Sequence, residues 1–406
     1  MPTLAELPPP TCQQGWPWTD APTPDLAPDM TWPLVSIVTP SFQQAAFLEE
    51  ALRSVLLQGY PNLEVIVMDG GSRDGSVEII QRYAPWLTHW VSAPDHGQTD
   101  AINQGFRRAR GEFVGWLNSD DLLLPGALIR AVTTLLAHPH AVLVHGNCDY
   151  IDSAGRKVKS STGRIEAQPP LSTLLGRGGV IRQPTVLLRH SALRQVGYLD
   201  GSLHYGMDYD LWIRLRQVGD FVFLADAPLA LFRLQPQAKT HALPLAMIGE
   251  IYSIAQRHGG DGVAAARRPL GLRWEALARG RPAEWPACFA AELADPACTA
   301  LPGPLTRAVQ PFVTELLLSQ GLRLADQQPD QAAACLRWAV RRQPRLLANR
   351  GVRSILLQAL LRRAFGPALI ARWRAGRFSA GPPGRFSAGP PGRQHSQPTD
   401  PRGEQS

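Results

Sequence analysis

The chain has few of the features that tie down small secreted domains or membrane proteins. Its five cysteines (Cys12, Cys148, Cys288, Cys298, Cys335) are odd in number and scattered. No two stand at metal-ligand spacing, which excludes a disulfide framework and a zinc finger and reads as reduced thiols. No run of about 18 apolar residues occurs, so no membrane-spanning helix is expected. The N-terminus has Glu6 and prolines where a secretory leader has a basic start and an apolar core, so none is expected, and the location expected is cytoplasmic. Acid is missing altogether from Arg341 to Arg374, a stretch with nine arginines that carries most of the formal net charge of +7. Aromatic-basic interleaving and Cys/His fingers are also missing, which argues against nucleic acid as a partner. Neither G-x-G-x-x-G nor a Gly-Lys-Ser/Thr phosphate loop is present.

What is present falls into four stretches. Residues 1–33 hold many prolines, among them Pro8, Pro9, Pro10, Pro22, Pro24 and Pro28. Proline blocks helices and sheet ladders alike, so an extended or disordered arm is expected, with Trp16, Trp18 and Trp32 packing parts of it on the body. From 34 to 240, short apolar runs alternate with amphipathic ones. Strands are expected at 34–39, ended by Pro40, and at 63–68, 89–91 and 113–117. Between them come a helix with Leu48, Leu52 and Val55 on one face, one ending near Tyr83, and one from Gly97 to about Arg110. The pattern predicts right-handed βαβ units: an α/β domain with a mostly parallel sheet flanked by helices. Residues 241–375, rich in Ala, Leu and Arg, are expected to form a helical C-terminal region. There, the apolar run 352–361 between arginines fits either a peripheral helix on anionic lipid or a docked helix with a basic outer face. Residues 376–406, which begin with Gly-Arg-Phe-Ser-Ala-Gly-Pro-Pro twice in tandem, read as a disordered low-complexity tail.

Chemistry is concentrated where the strands end. Phe113-Val114-Gly115-Trp116-Leu117 is an apolar run that leads directly into Asn118-Ser119-Asp120-Asp121. Adjacent carboxylates repel, and burying either one unpaired is costly. A hard divalent cation, Mg²⁺ or Mn²⁺, removes that objection; the plainer alternative is a helix N-cap. In open α/β sheets ligands sit beyond the carboxyl ends of the strands. Thr39-Pro40-Ser41, Asp69-Gly70-Gly71 and Asn118-Ser119-Asp120-Asp121 should therefore face one crevice.

Five segments stand in order: Val35-Ser36-Ile37-Val38-Thr39-Pro40-Ser41; Met68-Asp69-Gly70-Gly71-Ser72-Arg73-Asp74-Gly75-Ser76; Asp95-His96-Gly97-Gln98-Thr99-Asp100-Ala101-Ile102-Asn103; Trp116-Leu117-Asn118-Ser119-Asp120-Asp121; and Met207-Asp208-Tyr209-Asp210-Leu211-Trp212. Together they closely resemble family 2 inverting glycosyltransferases with the GT-A nucleotide-sugar-binding fold, over roughly residues 34–240. The resemblance implies a nucleoside pocket lined by Thr39, Pro40, Ser41 and Asp69, with Gly71 allowing close approach. It implies that Asp95, Gly97, Asp100 and Asn103 close over the donor. Asn118 stands where the family's metal motif has its first Asp, which leaves Asp120 as the metal ligand and Asp121 as the second candidate for Mg²⁺ or Mn²⁺.

Asp208 resembles the catalytic base; its plainer reading is a first-turn Asp favoured by the helix dipole. The acid and the histidine that the family usually has at Met207 and Gln235 are absent, and Gln235 is expected to have no ligand role. Gln183 resembles a sugar-side Gln or is a strand-edge polar residue. Trp212 is expected in the core. The implied partners are a UDP-, GDP- or TDP-sugar and a glycan or lipid-linked acceptor, as in polysaccharide or cell-envelope synthesis. Two rival readings are a sugar-nucleotide-forming enzyme and a silent sugar-nucleotide-binding module. The first lacks its basic glycine-rich loop after the opening strand.

Overall fold

The first half of the chain alternates strand and helix: β1 (Val35–Ser41), α1 (Ala45–Leu56), β2 (Leu63–Asp69), α2 (Ser76–Tyr83), β3 (His89–Ser92), α3 (Gln98–Arg108) and β4 (Phe113–Trp116). β5 (Leu122–Leu123), α4 (Ala127–Ala137), β6 (Ala141–Gly146), β7 (Cys148–Ile151) and β8 (Lys157–Ser160) follow. Next come α5 (Leu171–Arg177), β9 (Leu187–Arg189), α6 (His190–Val196), α7 (Met207–Arg216), β10 (Asp220–Leu224) and β11 (Ala230–Arg233). The rest is helical: α8 (Leu245–Arg257), α9 (Gly262–Ala278), α10 (Pro296–Thr299), α11 (Gly303–Leu324), α12 (Pro329–Arg342) and α13 (Arg350–Phe365). The structure, a computed structural model, describes residues 3, 5–9, 13–20, 26, 30–160, 169–236, 238–239, 244–278, 290–291, 293–294 and 296–365. The low-complexity tail and Arg372 and Arg374 lie outside the described residues. The chain divides into two compact units, residues 1–319 and 320–406.

A seven-stranded sheet in the order β10-β6-β9-β4-β1-β2-β3 organises the first unit. β1 is buried along its whole length, as an apolar run between two parallel neighbours must be. Pro40 does not end it. β4 stops opposite Val38, so Pro40 lies past that ladder, where a missing N–H costs nothing. The fold is the α/β class that the alternation predicts, with a mostly parallel sheet and helices on both faces. Two features differ from simple βαβ winding. β9 pairs antiparallel with both β4 and β6. A second sheet, β5-β11-β7-β8, forms beside the first. Its strand β5 begins one residue after Asp121, and α4 starts only at Ala127 behind Gly126. Neither Asp120 nor Asp121 caps a helix.

The described parts of the proline-rich arm are docked on α1 through Arg53, whose side chain is fully buried. Its guanidinium donates to the carbonyls of Pro8 (2.8 Å), Pro17 (3.0 Å) and Trp18 (3.2 Å) and to the Tyr83 hydroxyl (3.1 Å). The Trp18 ring lies 5.0 Å from it, and Trp16 donates its indole N–H to the Leu123 carbonyl at 2.8 Å. In the second unit, α12 buries Ala332, Ala333, Cys335 and Leu336, while α13 buries Val352 and leaves Leu357 and Leu360 exposed. Among the described residues, no helix is long and apolar enough to cross a membrane.

Candidate active site

The site builds from the carboxyl edge of β1 and β2. Ser41 stands opposite Asp69, and its carbonyl accepts the Gly70 N–H at 2.9 Å. The buried Asp69 carboxylate takes the N–H groups of Gly71 (3.1 Å) and Ser72 (2.9 Å) and the hydroxyls of Ser72 and Ser92. It braces the loop it begins. Gly71 turns at φ +84, and a Cβ at Gly70 would lie 3.0 Å from an Asp95 carboxylate oxygen and 3.2 Å from the Phe42 ring. Loops after β1, β2 and β3 therefore meet at one point, and the buried Thr39 and Ser41 hydroxyls have no hydrogen-bond partner among the described residues. Asp74 accepts from Ser76 and from the Ala45 N–H, a turn-and-cap role.

The start of α3 joins this edge to β4 and α7. Asp95 accepts the Gly97 N–H at 2.7 Å, and Asp100 accepts from the His96 N–H and from the Gln104 amide. Gln98 donates to the Asn118 side-chain oxygen at 2.9 Å. Thr99 donates to the Leu203 carbonyl at 3.0 Å and lies 2.8 Å from the Met207 sulfur. Asn103 is 6% exposed, and its amide both donates to and accepts from the Leu199 backbone. It is a strut for the segment that leads into α7.

Asn118, Asp120 and Asp121 differ sharply in their surroundings. Asn118 also donates to Gln183, whose own amide donates to the Trp116 carbonyl. Asp121 is 2% exposed and accepts the Arg233 backbone N–H at 2.9 Å. Burial, and then the charge of Asp120, hold its pKa well above the usual carboxylate range. This acid joins β5 to β11 and is poorly placed to serve as a second metal ligand. Asp120 is less enclosed. Burial raises its pKa too, against the Gln235 amide, which donates at 2.6 Å, and the Arg233 charge. Gln235, for which no ligand role is expected, is a direct hydrogen-bond partner of Asp120. Arg233 is the unforeseen hub: its buried guanidinium donates to the Asp120 and Asp152 carbonyls and to Glu50, over the ring of Phe47.

Among the described residues, no three His, Cys, Asp or Glu side chains cluster as a metal cage. One carboxylate at Asp120 fits only a cation that takes its remaining ligands from water and substrate phosphate, as Mg²⁺ commonly does.

Asp208 stands in the first turn of α7, half-buried, and accepts the Tyr209 N–H at 2.7 Å. Burial pushes its pKa up to about 6. Its neighbour Met207 touches Thr99, next to Gln98, which holds Asn118. Asp210 points elsewhere, to Arg214 (2.7 Å) and His258 (2.9 Å). Trp212 is core, stacked on Trp116 at 5.6 Å. Gln98 and Arg233 escape sequence reasoning, as does the tie of Gln183 to Asn118, because the partners lie far away in the chain.

Residues 36–197 match the family described as Glycosyl transferase family 2. An uncharacterized glycosyltransferase of Rickettsia typhi is 29% identical over 195 residues, 47% of this chain and 61% of that protein. One from Haemophilus influenzae is 30% identical over 168 residues, 41% and 66% of the two chains. The O-antigen biosynthesis protein RfbC of Myxococcus xanthus is 31% identical over 202 residues, 48% of this chain and 16% of that one. The chain thus spans less than two thirds of the length of these relatives. Among solved structures, S. aureus TarS 1–349 with UDP-GlcNAc is similar at TM-score 0.47 and 17% identity, over 77% of this chain and 92% of that one. Mannosyltransferase PcManGT from Pyrobaculum calidifontis, with GDP-Man and Mn²⁺, is similar at TM-score 0.47 and 21% identity, over 86% and 91%. Asp208, Arg233 and Gln235 lie beyond the matched span. Residues 36–197 of this chain are thus similar to glycosyl transferase family 2.

Proposed function

We propose that the chain moves a sugar from a nucleoside-diphosphate-sugar donor to an acceptor hydroxyl with inversion at the anomeric carbon. The acceptor hydroxyl oxygen attacks that carbon, its proton passes to the Asp208 carboxylate, and the bond to the diphosphate breaks on the opposite face. Asp208 suits the task because a base is most useful with a pKa near the working pH, and burial moves it in that direction. The Thr39 and Ser41 hydroxyls and the Asp69 loop receive the nucleoside, while Gln98 and Gln183 orient Asn118 toward the donor. Asp120 would hold a Mg²⁺ or Mn²⁺ ion, which when bound neutralises charge on the leaving diphosphate.

The observation that carries this reading is the chain of contacts from Asn118 through Gln98 and Thr99 to Met207, which ties the β4 edge to the helix bearing Asp208. Nucleoside diphosphate release is the test, measured with UDP-, GDP- and TDP-sugars and Mn²⁺ for wild type and Asp208→Asn, with and without chelator. Release lost in Asp208→Asn and in chelator is expected. Equal turnover of the two proteins removes Asp208 as base, and full activity in excess chelator removes the metal role.

A further inference from the structure

α8 lies outside the residues matched to the family, yet it grips the segment just before Asp208. The Glu250 carboxylate accepts three consecutive backbone N–H groups: His204 at 3.0 Å, Tyr205 at 2.7 Å and Gly206 at 2.9 Å. Successive amides aimed at one anion form a nest, a rigid arrangement when the anion is covalently fixed. Gly206 is the residue on which α7 begins, and Asp208 follows two positions later. A Cβ at Gly206 would come within 2.6 Å of the Ile254 side chain, so the backbone of this segment lies directly on α8. Further along the same helix, Arg257 bonds Asp200 at 2.7 Å, and just past its end His258 bonds Asp210 at 2.9 Å. The segment from Asp200 to Asp210 is thus pinned to α8 and its C-terminal flank at its start, middle and end. Among the described residues, Asp208 has no side-chain partner to set its position; the bond it accepts comes from the next backbone N–H. Its place is therefore set by the backbone, and the backbone by Glu250.

We propose that Glu250 is a positioning residue for the transfer step, holding the 204–206 backbone so that Asp208 meets the acceptor hydroxyl. This rests on the reading of Asp208 as the base. A misplacement of about 1 Å can cost roughly 100-fold in rate. Because donor contacts lie elsewhere, the loss falls on kcat and not on KM.

The test is nucleoside diphosphate release from UDP-GlcNAc and GDP-Man, within the panel above, by wild type, Glu250→Gln, Glu250→Ala and Asp208→Asn, with melting temperature recorded for each. Gln keeps one of the two acceptor oxygens and places a donor against the remaining N–H. The expected order of kcat is wild type, then Gln, then Ala, with the donor KM unchanged. If Ala fails to fold, a folded Gln variant with depressed kcat supports the proposal, and one with wild-type kcat overturns it. A raised KM with intact kcat also overturns it. Wild-type turnover by Asp208→Asn sinks the base reading by itself, whatever the Glu250 variants do, so the two failures are distinct.

Discussion

At the scale of single residues, Asp208 is where stability and activity pull apart. Its folded pKa, about 6, lies above the ordinary 3.8. A carboxyl raised in this way binds its proton more tightly folded than unfolded. Its favourable contribution is present at low pH and lost as pH rises through about 6. At pH 7.5 the ionised group therefore costs the fold about 1–3 kcal/mol. Asp208→Asn should melt higher than wild type at that pH while losing turnover by about 10²–10⁴-fold. With Asp208 as the proposed base, the same pKa should set the acid limb of kcat/KM in wild type, with activity falling about tenfold per unit below about pH 6. A limb near 4, or an Asn variant that melts lower, would mean that the burial around Asp208 is not what sets its chemistry. Asp69 shows the opposite use of a carboxylate. It reads in the sequence as a nucleoside contact, but its oxygens already accept from Gly71, Ser72 and Ser92. The motif located the residue; only the folded loop shows how much of its bonding capacity is spent.

Among elements, those with strong local signals were legible and those defined by distant pairing were not. β1, β2 and β4 announce themselves as apolar runs that end in polar clusters, and α1 by the spacing of Leu48, Leu52 and Val55. The direction of β9 is not written in Val186-Leu187-Leu188, because antiparallel pairing with β4 and β6 is decided by chain segments about 45–75 residues away. β5 is two residues long and carries no periodicity to read. Glu250 looks like any polar residue on an amphipathic helix until the 204–206 backbone is laid against it. The proline-rich arm is a similar case. Its prolines and tryptophans promised an extended segment packed in places, while the docking group, Arg53, is an inconspicuous residue of α1. Arg53→Met keeps the apolar stem but leaves the carbonyls of Pro8, Pro17 and Trp18 without their donor. At about 1–3 kcal/mol for an orphaned buried acceptor that cannot reach water, a total loss of about 3 kcal/mol is expected. Urea titration reads that loss, and limited proteolysis should show earlier cleavage within the first 33 residues. Unchanged cleavage would mean that the tryptophans alone hold the arm.

For the whole molecule, the sum of buried titrating groups decides how the fold responds to acid, and here they oppose one another. Asp208, Asp120 and Asp121 have raised pKa values, so each favours folding as pH falls. His145 does the reverse. It lies fully buried in β6, its ring 5.2 Å from Phe223, and neither ring nitrogen has a hydrogen-bond partner among the described residues. Burial lowers its pKa from 6.5 to about 4. The unfolded chain therefore takes up a proton below about 6.5 that the folded chain refuses until about 4. That costs stability across this window, up to about 3 kcal/mol at its lower end. His145→Leu removes both the titration and the unpaired ring nitrogens, so it should be at least as stable as wild type at pH 7.5. Because the three carboxyls are common to both proteins, they cancel in the difference. Urea titrations of both proteins at intervals from pH 7.5 to 4.5 should show the gap in favour of the leucine variant widening as pH falls, most steeply below 6.5. A gap that stays constant would mean that His145 accepts its proton in place, and that the interior around β6 is more polar than its neighbours imply.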